Sequence, residues 1–352
     1  MSVAATSALG RAYARRTRGR TLTLIGLAAA LAGSLLLDLA TGASDMPLGT
    51  VLAGLWDPAA AEVGVRVILW DVRLPQALMA VLVGAALGLA GAEMQTVLAN
   101  PLASPFTLGI SNAATLGAAI AIVAGFHIPV VGPEWTVAVT AFAFAMAATV
   151  VVQALARTQG LDGGGESLIL FGIAMVFVLN ALLWLVQFLA SADALQQIVF
   201  WTMGSLGRST WSTVGLLAAV VALCFPWAMR HVWAMTALRA GEEHARALGI
   251  AVGRMRVLVL LRVSLLAGVA LSFVGTISFI GLVGPHIARL ALGEDHRFYL
   301  PGAALGGALV LSLSSVVSKS LVPGLVLPVG IVTALVGIPA FVALILLQRR
   351  RP

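Results

Sequence analysis

The residues that could do chemistry in this 352-residue chain are few, and their spacing excludes more than it offers. The five histidines are scattered: there is no His-Glu-x-x-His run to set two imidazoles on one helix face around a metal. There is also no Gly-x-Ser-x-Gly elbow to raise a serine nucleophile. The single lysine, Lys319, lies in SVVSKS, so no Gly-rich loop ending in Gly-Lys-Ser/Thr can cradle a nucleotide phosphate. This chain is therefore not its own ATPase. The single cysteine, Cys224 in VALCFPW, sits in an apolar run and reads as a small buried hydrophobe; no disulfide framework is possible. Glu93, in GLAGAEMQTVL, is the one carboxylate well inside a predicted span, where a charge is costly and is kept for a task. Two readings stay open for it: it lines an aqueous pathway, or it lies near the end of its helix and reaches water. One carboxylate does not make a proton relay.

The elements that must hold these residues follow from composition. With 60% hydrophobic residues, 10% charged residues and a mean hydropathy of +1.04, the chain is far more apolar than a soluble core can hide. Apolar runs of about 20 residues recur throughout, which predicts an all-α polytopic membrane protein of about ten spans. Bounded by Gly, Pro and charged residues, the spans fall at 22–40, 77–98, 108–125, 136–156, 168–190, 211–229, 257–273, 278–292, 300–317 and 328–347. A basic segment, 1–20, precedes them as an N-terminal tail, the ten-helix transmembrane domain covers 21–348, and 349–352 form a basic C-terminal tail. The basic-then-apolar start resembles a signal peptide, but its apolar run is long enough to span, so it is expected to stay as the first helix. With both termini on one side, every basic residue but Arg66, Arg73, Arg208 and Lys319 falls on that side, as the positive-inside rule expects of the cytoplasm. The net charge of +7 is thus topology and needs no nucleic acid.

Three local patterns stand out. NPLASPFTLG, Asn100 to Gly109, places two prolines straight after a greasy run; proline removes a backbone donor and pushes the preceding residue out of helical geometry, so the helix must break at Asn100-Pro101. Irregular backbone at such depth is tolerable where it lines a cavity. GAALG occurs at Gly84 to Gly88 and again at Gly302 to Gly306, a spacing that lets helix backbones approach closely. The two halves are faintly alike around these patterns, as an inverted repeat would be. Finally Met235 to Arg256, MTALRAGEEHARALGIAVGRMR, is charged, Ala-rich and cut by Gly241, Gly249 and Gly253, which predicts short helices with glycine turns suited to docking in another protein's groove.

Together RLPQALMAVLVGAALGLAGAEMQTVLANPLASPFTLGIS, ALRAGEEHARALGI, GTISFIGLVGPHIARLALGEDHR and LPVGIVTALVGIPAFVALI resemble, in order and spacing from Arg73 to the C-terminus, the FecCD family of ABC importer permeases. The resemblance implies the type II importer fold in the bacterial inner membrane, with both termini cytoplasmic. It also implies a second permease subunit, two cytoplasmic ATPase subunits that carry ATP-Mg, a periplasmic binding protein, and no cofactor on this chain. Residues 235–256 then correspond to coupling helices, with Arg239, Gly241, Glu242, Glu243, Leu248 and Gly249 as the contacts. Asn100, Pro101 and Leu102, faced by Glu166 and Ser167, correspond to the cytoplasmic gate. On the outer face Arg73 matches the first docking arginine, while Gln76, Ser315 and Lys319 stand where the family has Arg, Asp and Arg. Lys319 keeps the charge without the bidentate fork, and Arg66 or Arg208 could compensate. His286 in GPHIAR invites a haem-ligand reading, but the motif is carried whatever the cargo and is read as structural. The turn NPLASPFTLGIS is similar to ferric-siderophore members; haem is the second cargo and a cobalamin the third. An ion-coupled secondary carrier would instead need an ion gradient and an essential Glu93.

Overall fold

The computed structural model describes residues 3–42, 46–158 and 165–348; the tail at 349–352 lies outside the described residues. Among the described residues the chain is helical apart from turns and one isolated bridge between Val322 and Leu325. Seven helices are long and apolar enough to cross a membrane, and three shorter apolar ones complete the expected set of ten.

The order is α1 (Val3–Ala40), α2 (Leu48–Trp56), α3 (Val63–Arg66), a π-helical segment (Val67–Arg73) and α4 (Leu74–Val97). Then come α5 (Ile110–Ala124), α6 (Pro133–Thr158), α7 (Gly165–Leu189), α8 (Ala192–Thr202) and α9 (Trp211–Met229). The short pair α10 (Val232–Arg239) and α11 (Glu242–Ala247) precedes α12 (Val252–Val274), α13 (Ile280–Leu292), α14 (His296–Ser320) and α15 (Val329–Gln348). Each of the ten expected spans meets a helix. The additions are the short helices α2, α3 and α8, too short to span.

Two expectations change. The basic tail is continuous with α1, because its Ala and Arg favour helix and no proline interrupts it. Arg256, expected in the segment that precedes the 257–273 span, lies within α12, and both it and Arg262 are buried there.

α4 is the centre of the bundle, buried along almost its whole length, and it packs on α14, α12 and α13. The first GAALG pattern packs on α14 here, while Gly302 and Gly306 of the second face α13. A methyl on Gly84 would collide with Gly307 and Ala308, and one on Gly88 with the Ala303 carbonyl. Lipid supplies no hydrophobic drive between helices, so this seam depends on backbone approach and dispersion. Polar clips add to it: Ser34 and Ser312 hydroxyls lie 2.8 Å apart between α1 and α14, and Thr149 and Ser264 hydroxyls 2.6 Å apart between α6 and α12.

Candidate gate and coupling site

One end of the bundle carries the N-terminal arginines, the turn after α4, the start of α7 and the pair α10–α11; it is called the basic end here. At that end α4 stops at Leu98, and Ala99 takes a left-handed φ of 48°. Asn100 Oδ1 accepts a hydrogen bond from the Leu102 amide at 2.9 Å, a turn that satisfies a donor which Pro101 has removed from helical use. Pro101 and Leu102 are exposed, whereas Ala103, Ser104 and Pro105 are buried. Pro105 packs beside Gly281, which in turn lies on Gly91 of α4, so the stretch after the turn runs back into the bundle before α5 begins. Thr107 Oγ1 both donates to the Ser104 carbonyl (2.8 Å) and accepts from the Ser104 amide (3.2 Å), giving this buried irregular backbone its partners.

The start of α7 faces the turn. Gly165 is buried so close to Leu98 that a methyl there would meet the Leu98 carbonyl, which brings Glu166 and Ser167 beside the end of α4. Glu166 is exposed and Ser167 half-buried, and no hydrogen bond joins either to Asn100 or Leu102. The five residues expected at the gate are thus neighbours across a gap.

α10 and α11 form a bent pair hinged on Gly241, whose φ of 120° is one that a side chain would resist, and closed by Gly249 at φ 81°. Glu243, Leu248 and Gly249 are exposed. Trp233, Thr236, Ala237, His244, Leu248 and Ile250 line a groove of about 550 Å³ on this pair.

Side chains connect the pair to the bundle. Glu242 is ion-paired with Arg256 of α12, and Arg256 Nε donates to the Val97 carbonyl at 3.2 Å, at the last turn of α4 before the Asn100–Pro101 turn. Arg239 donates to Glu294 at 2.5 Å, which holds the Glu294 carboxyl below its ordinary value chiefly through that hydrogen bond. Arg289 lies 3.3 Å from Glu294 and donates to Gln95 of α4 (2.9 Å) and to the Tyr299 hydroxyl (3.1 Å). His296, buried, bridges Thr96 of α4 (2.8 Å) and Thr236 of α10 (3.2 Å). Sequence reasoning missed Arg256, Glu294, Gln95 and His296. Their signal was present: polar residues beside helix ends, in a chain with few of them, need partners.

Three other expectations are corrected. Glu93 lines no pathway here: it is fully buried and bidentate to Arg262, with Nε at 2.8 and 3.0 Å from its two oxygens. The same guanidinium lies 4.9 Å from the Trp227 ring centroid of α9. Arg73 and Lys319 are not exposed docking cations either. Arg73 is buried and donates to the Leu39 and Ala40 carbonyls at 2.8 and 3.0 Å, capping α1 where its exposed carbonyls favour a cation. Lys319 is buried and pairs with Asp38 of α1 at 2.9 Å, and Ser315 donates to the same oxygen. The substitution of Ser and Lys for the family's Asp and Arg therefore accompanies an inward pair. His286, on α13 in the first half of which Pro285 interrupts the donor pattern, has no metal-holding companions among the described residues.

The model of the FecCD transport family matches residues 28–347. Relatives include the hemin transport system permease protein HmuU of Yersinia pestis, 36% identical over 318 residues, covering 90% of this chain and 94% of that protein. The vitamin B12 import system permease protein BtuC of Citrobacter koseri is 37% identical over 301 residues, covering 85% and 88%. Among solved structures, "An inward-facing conformation of a putative metal-chelate type ABC transporter" matches with a TM-score of 0.80 at 27% identity, covering 92% of this chain and 99% of that one.

Proposed function

This chain belongs to the FecCD transport family, as the membrane-spanning permease subunit of a type II ABC importer, and from that premise we propose that it moves a ferric siderophore into the cytoplasm. As a permease it is a non-catalytic component, and ATP is hydrolysed by partner ATPase subunits. The basic end faces the cytoplasm of a bacterial inner membrane, with both termini inside, and a second copy of the chain completes the pathway. A periplasmic binding protein delivers cargo to the opposite end, where the exposed Arg66 takes the docking role that the inward Arg73 and Lys319 leave open.

The observation that carries this reading is the link Glu242–Arg256–Val97. An ATPase seated on the α10–α11 groove contacts Glu243, Leu248 and Gly249 and pushes on a pair hinged at Gly241. Arg256 then passes the displacement to the last carbonyls of α4, and Arg239 passes it through Glu294 to α13 and α14. Asn100, Pro101 and Leu102 move relative to Glu166 and Ser167, and the gate between them opens or closes. Proline makes the turn a fixed corner, so it shifts as a body when α4 is pulled.

The siderophore assignment rests on the NPLASPFTLGIS turn and on the metal-chelate structural relative. Haem is the second reading, favoured by the hemin-transport relative, and cobalamin the third. The test is the chain copurified with its ATPase in liposomes, with binding protein and ferric siderophore, haemin or cobalamin added in turn. Stimulated ATPase activity and uptake with one cargo name it. Uptake that follows an ion gradient without any ATPase overturns the assignment in favour of a secondary carrier.

A further inference from the structure

α1 is longer than crossing a membrane requires. Its 38 residues run about 57 Å at the helical rise, whereas the apolar part, 21–40, already matches a hydrocarbon core of about 30 Å. The part before it, 3–20, continues the same helix past the apolar stretch at the basic end. One face of that extension is tied down. Tyr13 and Arg20 are seven residues apart, two helical turns, and so share a face. Arg20 Nη1 donates to Asp295 Oδ2 at 3.2 Å, and the Tyr13 hydroxyl accepts from Arg297 Nη2 at 3.0 Å. Asp295 caps α14 by accepting from the Arg297 amide at 3.2 Å, and its carboxylate also takes Arg297 Nε at 3.0 Å and Nη2 at 2.6 Å. The Phe298 ring lies within reach of both guanidiniums, 5.5 Å from that of Arg20 and 5.7 Å from that of Arg297.

Arg297 is thus held by acceptors on α1 and at the start of α14, and it hands that fixed position to α10. Its guanidinium carbon sits over the Trp233 ring, 4.7 Å from the centroid. Trp233 is 67% exposed and stands in the wall of the α10–α11 groove, near the start of α10. Glu294, the neighbour of Asp295, holds Arg239 at the other end of α10. Two consecutive carboxylates therefore fix the two ends of this helix, Glu294 directly and Asp295 through Arg297. Tryptophan is among the residue types that carry most binding energy at protein interfaces, and a side chain fixed before contact loses less entropy on binding. The groove is the surface already assigned to the ATPase, so the ring that Arg297 fixes lies on that interface.

We infer that Trp233 anchors the ATPase subunit and that Tyr13 and Arg20 of α1 are positioning residues for it, acting through Asp295 and Arg297. The inference rests on the importer reading above and adds the extension of α1 to the coupling machinery. Arg15 and Arg18 lie on the opposite face of the same helix and are exposed, so they provide a control of equal charge.

The experiment titrates the purified ATPase subunit onto the full-length permease in phosphatidylcholine nanodiscs and reads the dissociation constant; uptake per ATP is measured in liposomes. Trp233→Ala should weaken ATPase binding about thirtyfold or more, as loss of an interface anchor does. Tyr13→Phe combined with Arg20→Gln should weaken it about three- to tenfold, the worth of one hydrogen bond and one partly exposed ion pair, and should lower uptake per ATP. In the Trp233→Ala background the same two substitutions should change nothing further, because they act only through that ring; a merely structural role would weaken both backgrounds equally. Arg15→Gln with Arg18→Gln should stay within about twofold of the parent. Tyr13→Phe alone removes one hydroxyl from an exposed ring and keeps the test open should the arginine variant fail to assemble. The inference is overturned if Trp233→Ala binds as the parent does, or if the Tyr13 and Arg20 substitutions are silent. It is also overturned if their effect is the same with and without Trp233, or if the Arg15 and Arg18 pair matters as much, since the extension then acts through net charge alone. A parent chain that binds no ATPase overturns the importer reading and this inference with it. A parent that binds and transports while its variants behave alike overturns only the inference.

Discussion

Neutralising Glu93 tests how this bundle carries a buried charge. In Glu93→Gln the Arg262 guanidinium stays at zero exposure inside α12 but loses its bidentate carboxylate. Its Nη1 has no hydrogen-bond partner to begin with, so no spare acceptor among the described residues takes over. What remains is the one neutral amide oxygen as an acceptor and the face of Trp227 at 4.9 Å, a contact of about 2 kcal/mol at most in a desolvated site. Breaking one partner of a buried pair costs about 3–5 kcal/mol, because the survivor is left charged and dry. Replacing both by apolar residues of similar shape, Glu93→Leu with Arg262→Met, removes that penalty and costs about 1 kcal/mol or less, since such replacements are often neutral or better. The assay compares the parent, Glu93→Gln and the double variant as purified complexes, with unfolding followed by denaturing detergent, together with ATP-driven uptake. The single variant should lose most of its stability margin, and the double should recover both stability and uptake. A single variant within about 1 kcal/mol of the parent would refute the claim that the pair is dry. Uptake abolished in a stable double variant would refute the purely structural role and return Glu93 to the pathway.

Replacing Gly91 with leucine should prevent assembly or cost at least the roughly 1–3 kcal/mol typical of overpacking, because even a methyl there collides with the Gly281 carbonyl; yield and melting of the purified chain check it. Lys319→Met should destabilise the bundle by stranding Asp38, while leaving the salt dependence of binding-protein docking unchanged, and Asp38→Asn in the same chain should restore stability; a binding titration at two salt concentrations together with a melt separates these. Glu294, partnered by Arg239, has a pKa depressed below its ordinary 4.5, so its contribution is fully present above that value and is lost only as pH falls through the lower folded one. The coupling of ATP hydrolysis to uptake should therefore be flat in pH from about 5.5 to 8 as far as this pair is concerned. Glu294→Gln should lower uptake per ATP at every pH in that range, read as the ratio of the two rates.

The sequence alone determined that this is an all-helical membrane protein of about ten spans, and did so from local physics; the permease reading came from its resemblance to a known family. Hydropathy sets where a helix can cross lipid, and proline at 101 must end the helix whatever surrounds it. The two GAALG patterns announced close packing, and the structure sets the first on the seam between α4 and α14 and the glycines of the second against α13. The turn at Pro101 and the bend at Gly241 were legible because each breaks a contiguous string, while their assignment to a gate faced by Glu166 and Ser167 and to a coupling pair came from the family resemblance. What the sequence left open is which distant charges meet. Glu93 read as a lone carboxylate until folding set it against Arg262, 169 residues away, and Lys319 read as a surface cation until α14 packed it on Asp38, 281 residues away. The same holds for Arg256, which folding places between Glu242 and the end of α4. A charge in an apolar bundle takes its role from the partner that offsets its desolvation, and helix packing alone decides which partner that is.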